Sequence, residues 1–405
     1  MQILFLSTWF PYPPDNGSKI RVYHLLRALG ARHKVTLLSF AFETANPEGA
    51  NELHHFCADV QTVQCNPFDR SRVANTLRFL SPVPIVTNPL PEMTQAVRSA
   101  LAQTNFDVVV ASTGVMATYG LLAPQATVKV LEEHNSLTRW MWERYREQNS
   151  TVQRLRCWLS WQKTRYYEAR LFRRFGLCMM VSEQDRKTSR YTLPGYHGRV
   201  KVVPNGVDCQ HNRPGLARPT PKALVFNGAL TYSANYDAMQ YFLAEIYPLI
   251  QQQEPDVSLT ITGSTSGVRL SGLQLDESVR LSGYVDDVRP VVAGAWACVV
   301  PICQGGGTRL KILEAMALGT LVVTTSKGAE GLDVTPNYNI LIADEPAEFA
   351  AQVIHLLRDP VLRRRLTINA RRLVEQRYDW APIGQRFVDL IEEVASKHMR
   401  AGVPS

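Results

Sequence analysis

The sequence lacks paired cysteines and long apolar runs. Its seven cysteines are scattered without a C-x-x-C pair, which argues against disulfides or a zinc site and favours a reducing cytosol. No uninterrupted apolar run reaches about 18 residues, so we expect no membrane-spanning helix. The N-terminal stretch MQILFLSTWF carries no basic region before its apolar residues, and it predicts a first β-strand in place of a signal peptide.

Several motifs of catalysis and nucleotide binding are also missing. The sequence contains no G-x-S-x-G, no G-x-x-x-x-G-K-[ST] and no H-E-x-x-H. The stretch GGGTRL lacks the third glycine of a dinucleotide fingerprint and comes late in its predicted domain, which disfavours an oxidoreductase. No cluster with the spacing of metal ligands is evident, so we expect neither a bound metal nor a prosthetic group.

Length and charge set wider bounds. A chain of 405 residues is long enough for two domains of about 200 residues each. With 45% hydrophobic and 20% charged residues, the composition is that of a soluble globular protein. The net charge of +8 suits anionic ligands or an anionic membrane surface and does not require nucleic acid.

Strands and helices alternate along both halves of the chain. QILFLST, KVTLLSF, DVVVAST and VKVLEEHN are strand-like in the first half, and ALVFNGAL, VSLTITGS, ACVVPI and LVVTT are strand-like in the second. Proline and glycine concentrate at 204–222, which favours a linker there. We therefore predict two parallel α/β domains, at 1–203 and 223–378, with a final amphipathic helix at 379–405.

The stretch at 301–332 organises the second domain. ACVVPI predicts a buried strand, and Gly305, Gly306 and Gly307 let the backbone turn and approach a ligand closely. Thr308 is the predicted N-cap of the following helix, and Gly319 is placed to end it. A glycine turn that leads into a helix N-terminus can bind an anion, because unpaired N–H groups and the helix dipole point at it.

Charged residues beside this turn suggest the class of ligand. Arg309 and Lys311 add two cations, and the Glu314 carboxylate could accept hydrogen bonds from ligand hydroxyls. Phosphates at the loop with a polyol nearby indicate a nucleotide or a nucleotide sugar. A plain glycine-rich crossover with solvated basic residues is the alternative, because a glycine-rich loop alone is a weak motif.

Two positions of the first domain fall where such sheets bind ligands, beyond the carboxyl ends of the strands. Gly17 lies in the loop after the first strand, where it is either an ordinary turn glycine or a close approach to a phosphate or sugar. His134 follows the strand VKVLEE. A lone histidine is more often structural than catalytic, but its position at the expected cleft supports a functional role equally well.

Residues 137–175, the basic-aromatic segment, have an unusual composition. They hold ten Arg or Lys against three Glu, and four of the seven tryptophans. The pattern fits one or two solvated helices with an aromatic inner face. It also fits a surface that rests on anionic lipid. Nucleic-acid binding is a third interpretation, but no RNA- or DNA-binding module accompanies the segment.

Taken in order, the motifs of this chain resemble those of family 4 glycosyltransferases. The resemblance rests on FPYPPDNGSKIRVYHLLRAL, VSEQD, PNGVD, FNGALTYSANYDAMQYF, RLSGYVDDV, GGGTRLKILEAMALGTLVVTT and the terminal YDW helix. It covers nearly the whole chain and is closest to exopolysaccharide sugar transferases. It implies a GT-B fold, with two Rossmann-like domains facing each other across a cleft and a last helix that crosses back to the first domain.

The resemblance also assigns the donor site. It implies that Glu314 holds the ribose hydroxyls and that Arg309 and Lys311 face the diphosphate. Tyr284 and Val285 fall where the main chain meets the base. The implied reaction is the retaining transfer of a sugar, of the hexosyltransferase type, from a nucleotide donor without a metal. UDP- and GDP-sugars are the expected donors.

In the first domain, the resemblance puts Gly17 beside the phosphates and sugar, and His134 beside the transferred sugar. Two departures from the family pattern stand out. Gly306 occupies the position, eight residues before Glu314, where the family often has a second glutamate. Gly228-Ala229 replaces the usual Gly-Arg, so the phosphate charge would fall on Arg309 and Lys311.

We therefore predict a glycosyltransferase of polysaccharide or glycoconjugate biosynthesis, with a glycan or lipid-linked acceptor. We expect it in the cytoplasm, with peripheral contact to the inner face of the membrane through the basic-aromatic segment. A nucleotide-sugar epimerase of the same fold is an alternative, with Glu133 as a candidate acid or base. A catalytically impaired nucleotide-sugar-binding protein is another, because of Gly306.

Overall fold

The computed structural model describes residues 1–42, 47–68, 89–192 and 199–401. The chain forms two compact units. The first unit comprises Met1–Pro204 with Ile383–Ser405, and the second comprises Asn205–Pro382. Each unit contains a parallel β-sheet with helices between most of the successive strands, so the predicted α/β class is confirmed.

The first unit is built on a seven-stranded sheet. Its strands are β1 (Gln2–Ser7), β2 (Lys34–Phe40), β3 (Asp59–Val63), β4 (Val108–Ser112), β5 (Val128–Glu132), β6 (Leu177–Met180) and β7 (Val200–Val202). The spatial order is β3-β2-β1-β4-β5-β6-β7 and every pairing is parallel. The strand order reverses between β1 and β4, which is where ligands of such sheets bind.

Eight helices of the described residues belong to this unit or begin beside it. They are α1 (Gly17–Gly30), α2 (Pro47–His54), α3 (Pro91–Gln103), α4 (Gly114–Gly120), α5 (Leu137–Glu147), α6 (Thr151–Phe172), α7 (Glu183–Thr192) and the last helix, α14 (Trp380–Ala401). The side chain of Asn16 caps α1, which buries Val22, Leu25, Leu26 and Leu29.

The second unit is built on a six-stranded sheet. Its strands are β8 (Ala223–Asn227), β9 (Ser258–Thr262), β10 (Val279–Gly283), β11 (Ala297–Val300), β12 (Leu321–Thr324) and β13 (Leu341–Ile342). The order is β10-β9-β8-β11-β12-β13, all parallel. Alternate residues of one strand enter different cores: Leu224 and Phe226 pack on one face of the sheet and Val225 on the other, as the two-residue period of a strand requires.

The helices of the second unit cover both faces. They are α8 (Ser233–Tyr241), α9 (Tyr247–Gln253), α10 (Arg289–Ala293), α11 (Leu310–Leu318), α12 (Pro346–Arg358) and α13 (Pro360–Arg377), with a π-helical turn at Phe242–Ile246 and a 3-10 turn at Leu270–Gly272. Gly319 ends α11 in the left-handed conformation, at φ 82°, as predicted. The prediction of Thr308 as N-cap is wrong: α11 begins at Leu310, and Arg309 occupies the cap position without a capping side-chain bond.

Within the described part of the chain, no helix is both long enough and apolar enough to cross a membrane.

Candidate functional site

In the second unit, the residues singled out from the sequence gather at one edge of the sheet. Asn227 ends β8, Thr262 ends β9, and the glycine loop follows β11. The strand order reverses between β8 and β11. The carboxyl edge at such a reversal forms a crevice in open α/β sheets, so this edge is the natural ligand site of the unit.

Arg309 holds the glycine loop in shape. Its guanidinium donates to the carbonyl oxygens of Gly306 at 2.7 Å, Gly305 at 2.6 Å and Gln304 at 3.1 Å. Gly305 has a φ of +93°, and a Cβ there would come within 3.4 Å of the Arg309 guanidinium, so only glycine fits easily. The loop therefore offers backbone and a tethered positive charge, and no carboxylate stands at Gly306.

Lys311 lies in the first turn of α11 with its ammonium in a close-fitting site. Its Nζ donates to Asn235 Oδ1 at 2.9 Å and stands 4.1 Å from the centroid of the Phe226 ring. A Cβ on Gly228 would come within 2.4 Å of that Nζ. Burial lowers the pKa of Lys311 from its usual 10.5 to about 7. A bound anion would offset this burial.

Glu314 follows one turn later on the same helix. Asn227 Nδ2 donates to Glu314 Oε2 at 3.0 Å, and Thr262 Oγ1 donates to Asn227 Oδ1 at 3.1 Å. Burial raises the pKa of Glu314, while the Lys311 charge and the Asn227 bond act in the opposite direction. Thr262 thus orients Asn227, and Asn227 holds one carboxylate oxygen of Glu314. The carboxylate can still accept hydrogen bonds from hydroxyl groups.

The segment after β10 lies at the same edge. Gly283 ends the strand with a φ of +67°, and Tyr284 follows with 75% of its side chain exposed. Val285 is half-buried. Asp287 is paired with Arg289 at 2.8 Å. Among the described residues, no group of three or more His, Cys, Asp or Glu could hold a metal ion.

In the first unit, His134 stands just beyond β5 and is tied to three side chains. Its Nε2 is 3.1 Å from Glu132 Oε2 and 3.0 Å from Ser112 Oγ, and its Nδ1 is 3.1 Å from Ser18 Oγ. The Trp9 ring stacks on the imidazole, with centroids 6.3 Å apart. These contacts fix the orientation of the ring, so a substrate would meet a preset imidazole.

A buried ion pair lies behind the histidine. Arg21 Nε donates to Glu132 Oε1 at 2.5 Å, and the same guanidinium donates to the carbonyl oxygens of Val203 and Pro204. Both side chains are almost completely buried. Burial would raise the pKa of Glu132, but Arg21 and His134 lower it below the usual value. Glu132 therefore stays ionised beside His134.

Glu133 points away from this pair. Its Oε2 accepts a hydrogen bond from the Gly114 backbone N–H at 3.1 Å. Burial, then the neighbouring Glu168, raises its pKa well above the usual value. Burial also raises the pKa of Glu168 to about 7, and Glu168 accepts a hydrogen bond from Thr138. The pKa values of the adjacent Glu132 and Glu133 are thus shifted in opposite directions.

The structure brings most of the predicted residues into two clusters. Arg309, Lys311 and Glu314 share one edge of the second unit. In the first unit, Gly17 is the first residue of α1, next to Ser18, which contacts His134. The sequence reading missed the supporting residues, which are Asn227, Asn235 and Thr262 in the second unit and Ser18, Arg21, Ser112 and Glu132 in the first. Two of these residues had a signal in the sequence. Arg21 lies among the apolar residues of α1, and Glu132 ends an apolar strand.

Two family models match the chain. The model described as Glycosyltransferase Family 4 matches residues 15–211, and the one described as Glycosyl transferases group 1 matches residues 221–359.

Relatives and solved structures agree with these matches. An uncharacterized 44.6 kDa protein in the cps region of Klebsiella pneumoniae is 21% identical over 93% of this chain and 96% of its own length. A GDP-mannose-dependent monoacylated alpha-(1-6)-phosphatidylinositol monomannoside mannosyltransferase of Corynebacterium glutamicum is 25% identical over 50% of this chain and 60% of its own. The crystal structure of Anabaena HepE in complex with UDP covers 97% of this chain and all of its own, at 17% identity and a TM-score of 0.70. The predicted GT-B fold is thus confirmed.

Proposed function

Because the chain belongs to glycosyltransferase family 4, we propose that it transfers a sugar from a nucleotide-sugar donor to a glycan or lipid-linked acceptor. A role in polysaccharide or glycoconjugate biosynthesis is in keeping with the Klebsiella relative, which is described from a cps region. UDP- and GDP-sugars are the favoured donors, since HepE is described in complex with UDP and with UDP-glucose, and the Corynebacterium relative is GDP-mannose-dependent.

The arrangement of Lys311 and Glu314 carries this proposal. A lysine and a glutamate three residues apart on α11 stand behind a glycine loop at the carboxyl edge of the sheet. The lysine is buried against Phe226 and Asn235, and an anion is the ligand that would stabilise its charge there. A nucleoside diphosphate supplies that anion, and its ribose hydroxyls could donate hydrogen bonds to the Glu314 carboxylate.

The proposed chemistry is electrostatic. Lys311, the N–H groups at the start of α11 and the Arg309-tethered loop stabilise the leaving diphosphate, as preorganised charges do in many enzymes. Tyr284 and Val285 meet the base through the main chain. Glu132 keeps His134 oriented, and His134 acts on the sugar during transfer, with Gly17 at the diphosphate. We propose that the sugar keeps its anomeric configuration and that no metal takes part.

We also propose that the enzyme works in the cytoplasm at a membrane surface, which it contacts through the basic-aromatic segment. Helices α5 and α6 of this segment expose Trp142 and Trp158 at 38% and 39%. A lipid-linked acceptor would then be collected where it is anchored. Domain bounds of 1–203 and 223–378, with 204–222 as linker, remain our proposal for the functional division of the chain.

Ligand binding tests the donor assignment directly. A ligand that binds only the folded protein raises its apparent stability, so a thermal-shift panel of UDP-, GDP- and ADP-sugars should single out one nucleotide. Incubating that nucleotide sugar alone separates the alternatives, because an epimerase changes the sugar without an acceptor. The anomeric signals in the proton NMR spectrum of a transferred product report retention or inversion.

A variant pair tests the role of Lys311. Lys311→Ala should lower turnover about 100-fold or more, because a preorganised charge at the leaving group is lost. Lys397→Ala is the control, since Lys397 pairs with Glu393 at 2.5 Å on α14 and both side chains are more than half exposed. Near-normal turnover in Lys311→Ala would refute the assignment.

A further inference from the structure

Helix α6 (Thr151–Phe172) carries apolar side chains on the face that meets solvent. Val152, Leu155 and Tyr166 are 70%, 58% and 56% exposed. Their spacing places them on one face of the helix, and Thr164 and Leu171 on the opposite face are buried. A surface helix in water normally shows the reverse pattern. The exposed stripe runs about 21 Å along the helix.

The same helix is strongly basic around this stripe. Between Thr151 and Tyr167 it contains four cations and no acidic residue. Arg154 stacks over the Tyr145 ring at 5.2 Å, and Arg165 stacks over Trp161 at 5.8 Å. An apolar stripe flanked by cations is the pattern of a helix that lies in the interface of an anionic membrane.

A cavity between α5 (Leu137–Glu147) and α6 adjoins the stripe. Arg144 lines it from α5, Gln148 lines it from the cap position after α5, and Gln153, Arg156 and Ser160 line it from α6. Four of these side chains carry N–H donors, whereas Ser160 Oγ donates to the Arg156 carbonyl oxygen at 2.9 Å. Among the described residues, no acidic side chain lines the cavity. Arginine guanidinium groups with neutral donors suit a phosphate group, which they bind by charge-assisted hydrogen bonds.

We propose that this hairpin, α5 and α6, docks on an anionic lipid bilayer. The α6 stripe enters the interface, and the cavity takes the phosphate of a lipid headgroup. The inference rests on the proposed function in that a membrane-bound site would meet a lipid-linked acceptor. The basic side chains and the apolar stripe of α6 act together on the bilayer. Either one alone would give only weak, reversible adsorption to it.

Co-sedimentation of the full chain with vesicles tests this. Vesicles of phosphatidylcholine with about one third phosphatidylglycerol should bind at least ~10-fold more tightly than phosphatidylcholine alone. The pairs Val152→Ser/Leu155→Ser and Arg144→Gln/Arg156→Gln should each weaken binding at least ~10-fold. Equal binding to both vesicle types would overturn the docking proposal.

Two control pairs sharpen the result. Arg364→Gln/Arg365→Gln removes the same charge from an exposed part of α13 and should leave vesicle binding unchanged.

The pair Arg154→Gln/Arg165→Gln removes the same charge from α6 outside the cavity and should weaken binding less than the Arg144/Arg156 pair. An equal loss of vesicle binding in both pairs would refute the assignment of the cavity to the lipid headgroup.

Solution measurements separate the remaining outcomes. If glycerol phosphate in solution stabilises the wild type through Arg144 and Arg156 while vesicles do not bind, a soluble phosphate ester is the ligand and the membrane proposal falls. The thermal shift with the preferred nucleotide should be the same in every variant. Failure of the wild type to bind vesicles while that shift is intact would therefore count against docking alone and leave the proposed sugar transfer standing.

Discussion

Replacing Lys311 with methionine should stabilise the free protein, and the gain should depend on pH. Burial lowers the pKa of Lys311 from 10.5 to about 7. Between these values the unfolded chain holds a proton at this side chain that the folded chain has released. The wild type therefore gains stability as the pH rises through this window, and at pH 7 and below it carries the full cost of the buried charge. Methionine is unbranched and only one atom shorter than lysine, and it has no charge to bury.

The size of the effect follows from the pKa difference. One pKa unit corresponds to about 1.4 kcal/mol, so the full window from 10.5 to about 7 corresponds to at most about 5 kcal/mol. From pH 7 to pH 9 the limit is about 2.7 kcal/mol. Partial exposure of the side chain reduces this, and losing the bond to Asn235 costs about 1 kcal/mol at either pH. We expect the advantage of the variant over the wild type to shrink by about 2 kcal/mol between pH 7 and pH 9.

Urea titrations of both proteins at pH 7 and pH 9 measure this difference. Circular dichroism follows the unfolding of the full chain, and the shift of the midpoint with UDP identifies the transition of the second unit. Lys397→Met serves as the control, because that lysine belongs to a well-exposed pair with Glu393 on α14 and the variant should respond to pH as the wild type does. Parallel pH dependence of the wild type and Lys311→Met would refute the buried, neutral lysine.

Three further predictions concern the two clusters. Donor binding at pH 8 should take up close to one proton, because the diphosphate raises the pKa of Lys311; calorimetry in two buffers of different ionisation enthalpy measures it, and equal heats would contradict it. Arg21→Met should lower the free energy of unfolding by about 3–5 kcal/mol at pH 7, since Glu132 keeps a buried charge without its partner. The loss should shrink towards pH 5 as Glu132 takes up a proton, and a pH-independent loss in urea titrations would speak against it. Asn227→Ala should weaken UDP binding by about 1–2 kcal/mol in calorimetry, as Glu314 loses its donor; unchanged affinity would remove Asn227 from the site.

The sequence predicted those parts of the fold that depend on local pattern. KVTLLSF spans the same residues as β2, and Gly319 ends α11 as its conformational freedom suggested. Strand β3, Asp59–Val63, was missed. Its residues DVQTV lack a continuous apolar run and its side chains are only half-buried to exposed, because β3 is the edge strand of its sheet. The prediction of Thr308 as the N-cap is wrong because α11 begins at Leu310, which puts Arg309 in the cap position.

The site was predicted less completely for a physical reason. Lys311 and Glu314 belong to one helix, so their spacing is visible in the sequence. The bond from Asn227 to Glu314 joins residues 87 positions apart, and the pair of Arg21 with Glu132 joins residues 111 positions apart. Such partners meet only because the sheet brings the ends of separate strands to one edge. A single sequence does not show which strands are neighbours, so it cannot predict these contacts.

The pKa shifts of Lys311 and Glu314 have opposite signs and one main cause, burial, which a bound anion would offset. Burial favours the neutral form of each side chain. A diphosphate restores the charged lysine, and the charged lysine in turn lowers the pKa of the carboxyl group beside it. Binding at the phosphate end should therefore convert Glu314 into a better acceptor for the ribose hydroxyls. Measured at high pH, where Lys311 is neutral, a nucleoside diphosphate should lose more affinity than an uncharged nucleoside does.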